Sequence, residues 1–188
     1  SFPTRRSSDL TRNFIIQMIN YEIANAKAGR KAEVIMKLNS LVDTEIVKKI
    51  YSASRAGVKF KLIIRGICVL VPGIPEVSEN IEAISIVDKY LEHARIFVFH
   101  NNGDPLYYIS SADVMARNLD HRIEVAVPIW DKDCKEELQN ILDIQWRDNT
   151  KARLLDLQTL NQYRKGEGPQ VRSQFDIYNH FKSLYYHH

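Results

Sequence analysis

Cysteine is scarce in this chain: Cys68 and Cys134 stand far apart and form no C-x-x-C pair. That suits a reducing compartment and leaves no zinc-ligand spacing. No apolar run approaches the roughly 18 residues a membrane-spanning helix needs. Charge of one sign is lacking too, with 26 basic against 23 acidic residues and a net charge of +3. Such a balance argues against nucleic acid or a membrane surface as partner and leaves an anionic ligand open. Internal repeats and low-complexity segments are absent. What remains is 188 residues of ordinary apolar content, enough for one domain, or one domain with a helical tail, that buries a core without metals or disulfides.

The first ten residues, SFPTRRSSDL, have little apolar periodicity and no hydrophobic region of a signal peptide. They resemble a translated sequencing adapter. Residues 1–10 are therefore expected to be disordered and to pack against nothing, with the domain spanning 11–188. On that reading the gene is truncated upstream of Thr11 and the biological protein is longer.

Beyond them the pattern is that of an α/β fold. Phe14, Met18, Ile15, Ile19 and Ile23 recur at helical spacing, which predicts a helix over Thr11–Ala28 ended by Gly29. Ala32–Leu38 reads as a buried strand. Asp43 is placed to cap a helix whose Ile46, Val47, Ile50 and Ala53 share a face, with Gly57 after its end. Val58–Ile64 is a second strand, so the start is α-β-α-β with short links, a parallel arrangement. The prolines of Ile67–Pro75 exclude a regular central strand there, and Glu76–Glu82 reads as a short helix. Arg95–Phe99 and Leu106–Ile109 read as strands joined by a hairpin through Asn101-Asn102-Gly103-Asp104, and Arg122–Ile129 as a further strand. Amphipathic helices are expected over Asp131–Arg147 and from Ser173 onward, the latter with Ile177, Phe181 and Leu184 on one face.

Ligands of open α/β sheets bind outside the carboxyl ends of strands. Three polar groups fall there: Asn39-Ser40, Arg65-Gly66 and the segment around Asn101. Arginine presents a planar fork of donors matched to phosphate oxygens, and Gly66 lets backbone approach a ligand. A surface arginine that ends a strand is the plain alternative. Lys37 and Asn39 end the first strand and are candidates for the same ligand. Arg117 and Arg122 suit either an anion or a surface ion pair. Tyr90, Tyr107 and Tyr108 suit base stacking or packing.

His93 precedes a strand, and most lone histidines are structural. The order His93-x-Arg95, strand, polar hairpin, Ser110-Ser111-Ala112-Asp113 and Asn118 resembles the H-x-K…(G/S)-S-x-N half-site of the phospholipase D superfamily. There the histidine handles phosphoryl groups, and the lysine, serine and asparagine bind phosphate oxygens. Arg95 stands at the lysine position and Asp113 at that of the asparagine, departures that argue against simple phosphodiesterase chemistry.

Longer stretches are more specific. KLNSLVD (Lys37–Asp43), IIRGICVLVPGIPEVSENI (Ile63–Ile81), SIVDKYLEHARIFVFHNNG (Ser85–Gly103), ISSADVMARNLDHRIEVAVPI (Ile109–Ile129) and VRSQFDIYNHF (Val171–Phe181) resemble the closing domain of the polyphosphate kinase family. The resemblance implies a phospholipase D-like α/β domain, a mixed sheet covered by helices with a helical C-terminal tail. It implies membership of an enzyme that reversibly moves the terminal phosphate of ATP to inorganic polyphosphate through a phosphohistidine, using Mg²⁺. The phosphorylated histidine and the Mg²⁺ ligands belong to preceding domains, so no metal site is expected in this chain. Arg65 and His93 are expected to contact the phosphates of ATP, with His93 as acid/base or charged donor. Lys37, Asn39, Arg95, Ser111, Asn118 and Arg122 are secondary candidates. Expected partners are ATP or ADP, polyphosphate and the preceding domains. The full enzyme is expected to be a cytoplasmic homo-oligomer, with membrane association left open and no nucleic acid bound. The fragment alone is expected to be inactive. A phospholipase D-like phosphodiesterase, which needs two half-sites, and a noncatalytic anion-binding module are the rival readings.

Overall fold

In the computed structural model, which describes 7–121, 123–158, 160–166 and 168–185, the helices α1 (Ser7–Lys27) and α2 (Thr44–Arg55) flank β1 (Glu33–Leu38) in sequence. Then follow β2 (Lys59–Ile64), β3 (Ile81–Ile86), β4 (Ile96–Phe99), a 3-10 turn (Asn101–Gly103), β5 (Leu106–Ser110), α3 (Ala116–His121), β6 (Ala126–Ile129), α4 (Lys132–Trp146), β7 (Ala152–Leu155) and α5 (Ser173–Tyr185). The strands form one sheet in the order β6-β5-β4-β1-β2-β3-β7. β1, β2 and β3 are mutually parallel, and every other neighbour pair is antiparallel. Among the described residues no helix is long and apolar enough to cross a membrane.

Strand alternation splits the core in two. Val34, Met36 and Leu38 of β1, Phe60, Leu62 and Ile64 of β2, and Phe97 and Phe99 of β4 meet Ile15 and Ile19 of α1 and Ile46 and Ile50 of α2. The intervening Ile63, Ile96 and Val98 join Tyr107 and Leu142 of α4 on the other face. Each such side chain, once buried, contributes about 1.5–3 kcal/mol. Tyr107 and Tyr108 are packing residues: Tyr108 sits edge-on to Phe14 at 4.8 Å, and the Tyr107 hydroxyl donates to Gln139 at 2.7 Å.

The capping expectations hold. Asp43 Oδ1 accepts from the Ile46 amide at 3.0 Å at the start of α2, and Gly57 after its end has φ +95°. Arg12 of α1 spreads its guanidinium over Asp43 (2.8 Å) and Asp120 of α3 (2.6 Å), so one cation ties three helices. Its hydrogen bonds to Asp120 and Asp43 outweigh burial and raise its pKa further, so it stays charged.

Several expectations are corrected. α1 begins at Ser7, so Ser7–Leu10, set apart as disordered, continue the helix. Ser1–Arg6 lie outside the described residues. Glu76–Glu82 is not a helix. Glu76 has φ +60°, and the Ser78 hydroxyl accepts from the Ile74 amide at 2.9 Å and donates to the Val71 carbonyl at 2.7 Å. Such local side-chain bonds compete with helix formation, and the chain enters β3 instead. β7 and α3 were not foreseen. The strand expected over Arg122–Ile129 is regular only from Ala126, and Pro128 is tolerated because β6 is an edge strand.

Asp43 allows a direct test of this helix junction. Asp43→Ala is expected to destabilise the protein by about 2 kcal/mol or more, a lost cap of about 0.5–2 plus a charged hydrogen bond of about 1.5–3. Asp43→Asn should recover the cap share, since asparagine caps as well as aspartate. Urea melts of both variants check this; equal losses would assign the whole effect to the ion pair.

Candidate functional site

Topology collects the polar residues. β1 and β2 are parallel neighbours, so Asn39 and Arg65 leave the sheet at the same end. β4 runs antiparallel to β1, so its entry, His93 to Arg95, arrives at that end. β5 is antiparallel to β4 and brings Ser111 back beside Arg95, with the Ser110 amide donating to the Arg95 carbonyl at 2.9 Å. The Asn101 segment, expected there, is at the opposite end because β4 is reversed. Its amide donates to Glu22 at 2.6 Å.

Asp113 organises the group. Its Oδ1 accepts from the amides of Asn39 (2.8 Å) and Ser40 (3.1 Å), and its Oδ2 from Asn39 Nδ2 (3.3 Å) and Arg95 Nη2 (3.0 Å). Asn39 Oδ1 in turn accepts from Arg65 Nε at 3.1 Å, and Arg95 Nη1 donates to the His93 carbonyl at 3.2 Å. An unbroken run of hydrogen bonds thus joins the Arg65 side chain to the His93 backbone, through Asn39, Asp113 and Arg95. Burial pushes the Asp113 carboxyl up, but the bonds from Arg95 and from the Asn39 and Ser40 amides outweigh it. The group lies below its ordinary value.

Arg65 is half-buried and His93 is exposed. Gly66 is needed for a different approach from the one expected. A Cβ there would sit 2.8 Å from the Asn39 carbonyl oxygen, which accepts from the Gly66 amide at 2.7 Å. Glycine is therefore required by the β1–β2 exit itself.

The secondary candidates divide. Asn39 and Arg95 belong to the network. Lys37 is buried, and its Nζ lies 2.6 Å from Glu92 Oε2. Ser111 and Asn118 share one carboxylate: both side chains donate to Glu124, Asn118 at 2.8 Å. Arg122 lies outside the described residues. Sequence reasoning missed Glu92 and Glu124. The signal for Glu92 was its place immediately before His93; for Glu124 there was none, since its partners are 13 and 6 residues away. Among the described residues no group of three or more His, Cys, Asp or Glu is arranged to hold a metal ion.

Three comparisons bear on this arrangement. The family described as polyphosphate kinase C-terminal domain 2 matches residues 7–174. The polyphosphate kinase of Vibrio parahaemolyticus is 53% identical over 175 residues, covering 93% of this chain and 25% of that protein. That of Escherichia coli is 46% identical over the same length and shares. This chain therefore spans about a quarter of the length of those relatives. The crystal structure of polyphosphate kinase from Porphyromonas gingivalis superposes with a TM-score of 0.88 at 44% identity, over 92% of this chain and 26% of that one. Nuc of Salmonella typhimurium, a phospholipase D family member, superposes with a TM-score of 0.55 at 16% identity, over 77% of this chain and 90% of that one. It shares the fold.

The Asp113 network gives a pH test. A carboxylate whose folded pKa is depressed contributes stability above its unfolded value, about 3.9, and loses it as pH falls through the lower folded value. Thermal melts should show Asp113→Asn less stable than the parent at neutral pH. The gap should hold down to about pH 5 and narrow below about pH 4. A gap independent of pH across that window would show that the charge of Asp113 carries none of the effect.

Proposed function

The chain belongs to the polyphosphate kinase family through its C-terminal domain 2, and from that membership we propose that it supplies one wall of a phosphoryl-transfer site. Its substrates are ATP and inorganic polyphosphate, and Arg65 and His93 act on their phosphates. The observation that carries the reading is the run of hydrogen bonds from Arg65 to the His93 carbonyl at one end of the sheet.

Phosphoryl transfer asks the protein for position and for positive charge at the phosphate oxygens. Arg65 is held through Nε by Asn39, which restricts the rest of its fork. Such an arginine is worth about 10³–10⁵ in rate when it faces the transferring group. Histidine changes charge near neutral pH. His93 donates to a phosphate oxygen of ATP and yields its proton as ADP leaves, while the phosphoryl group passes to the histidine nucleophile of a preceding domain. A general acid of this kind contributes about 10²–10⁴. Asn39, Asp113 and Arg95 hold the two residues. Among the described residues no cluster of side chains fits a Mg²⁺ site, so no step here passes through the ion, and its ligands are assigned to the preceding domains.

Arg95 stands where the phospholipase D pattern has a phosphate-binding lysine, and it is paired with Asp113. That favours the kinase reading over a phosphodiesterase. In the same reading the full-length protein is a cytoplasmic homo-oligomer, this domain's partners are the preceding domains of its own chain, and the isolated chain binds phosphate weakly without turnover.

The test uses a full-length polyphosphate kinase carrying this chain as its C-terminal portion. Arg65→Ala should raise the KM for ATP by about 10- to 100-fold, the loss of a charge-assisted contact of about 1.5–3 kcal/mol. Arg65→Lys should recover part of it, because a point charge replaces a fork. His93→Ala should lower kcat by about 10²–10⁴ with melting unchanged. Near-parental rates for both alanine variants would overturn the assignment. ATP-dependent polyphosphate synthesis by the purified chain alone would show that the nucleophile lies within it.

A further inference from the structure

The segment that carries His93 is irregular. Residues 87–95 join β3 to β4 without regular structure, and among the described residues no backbone-to-backbone hydrogen bond holds 87–94. Side chains hold it instead, at every second residue. Asp88 is gripped by the fork of Arg172, at 2.8 Å from Nε and 2.6 Å from Nη2. Tyr90 is bracketed by the amide of Gln174, which accepts from its N–H at 2.8 Å and donates to its carbonyl at 2.8 Å. Glu92 accepts from Gln174 at 3.0 Å, from Gln145 of α4 at 2.6 Å and from Lys37 of β1 at 2.6 Å. Lys89, Tyr90, Leu91 and His93 are exposed, Tyr90 being held through its backbone.

All three residues are gripped from the start of the C-terminal helix, more than 80 residues away in sequence, by Arg172 and Gln174. That start is itself fixed. The Ser173 amide donates to the buried Asp148 at 2.8 Å, and the Arg172 guanidinium lies 4.3 Å from the Phe175 ring centre. Gln174 is buried, so its amide has no water to exchange for Tyr90 and Glu92. A buried side chain that replaces a missing strand neighbour is a costly way to order a loop unless the loop must be ordered.

We infer that Arg172 and Gln174 are positioning residues: the first turn of α5 latches the 88–92 backbone and so aims His93 at the phosphate. The inference rests on the reading of His93 given above. Arg95 holds the His93 carbonyl from one side and the latch holds Glu92 from the other. The side chain is left as the mobile part of a fixed backbone. Loss of the latch leaves the imidazole present but misplaced, and a misplacement of about 1 Å can cost about 10²-fold in rate.

The experiment uses the full-length chimera described above, with steady-state and single-turnover rates at saturating ATP. Gln174→Met keeps the side-chain length and removes the amide. It is expected to lower kcat by about 10- to 100-fold with the KM for ATP within about twofold. Arg172→Lys, at a partly exposed side chain, keeps the charge and should lower kcat by a smaller factor. It also serves if Gln174→Met fails to fold. In a His93→Ala background the same changes should cost less than about threefold, because there is no imidazole left to aim. A purely structural role predicts the same factor in both backgrounds, or a KM change to match the kcat change, and either result overturns the latch. Parental kcat in both latch variants overturns it as well. Parental rates in His93→Ala alone remove the reading of His93 and the latch with it. A large loss there, with additive losses from the latch variants, removes the latch only.

Discussion

A carboxylate buried at a sheet end must be protonated or satisfied, and Asp113 is satisfied by four hydrogen bonds from three residues. Those bonds settle how the chain leaves β1. The Asn39 and Ser40 amides are strand-exit donors with no further strand partner, and an orphaned buried donor costs about 1–3 kcal/mol. With Asp113 in place, the Asn39 side chain is fixed, its carbonyl is fixed against Gly66, and Arg65 has a defined neighbour. Removing the carboxylate would loosen the exits of β1 and β2 and the entry of β4 together.

This arrangement also explains why the two departures from the H-x-K and S-x-N pattern occur together. An arginine at the lysine position carries a fork that reaches both Asp113 and the His93 carbonyl. An aspartate at the asparagine position supplies the charge that the fork requires. A buried aspartate at residue 113 without a cation at residue 95 would be an unpaired charge, which costs several kcal/mol. The pair makes residues 95 and 113 part of the scaffold that also holds Asn39, and through Asn39 the Arg65 side chain after β2.

The elements legible in the sequence were those with local signals: Asp43 before an apolar 3.6-residue stripe, Gly57 after it, the continuous apolar runs of β1 and β2, and the Asn-Asn-Gly hairpin. β3 was missed because Ile81–Ile86 follows a stretch whose acidic residues suggest helix, while Glu76 and Ser78 make turns. β7 is four residues long, too short for a period. In the site, Arg65, Asn39, Arg95 and His93 were legible as strand-end polar groups, and the family resemblance ordered them. The direction of β4 was not legible, so Asn101 was placed at the wrong end. Nor were the partners of Lys37, Ser111 and Asn118, because Glu92 and Glu124 sit in irregular segments whose placement depends on tertiary contacts.

Charge pairing separates the candidates more sharply than position does. Lys37, Arg95 and Arg172 are each matched to a carboxylate, of Glu92, Asp113 and Asp88. Arg65, among the described residues, is held by a neutral partner, the amide oxygen of Asn39. An arginine oriented by a neutral group keeps its full charge for a ligand, and its rotamer is already restricted. Immobilising such a side chain on binding otherwise costs about 0.5–1.5 kcal/mol. Of these four cations, three are paired with carboxylates and Arg65 alone is held by a neutral group.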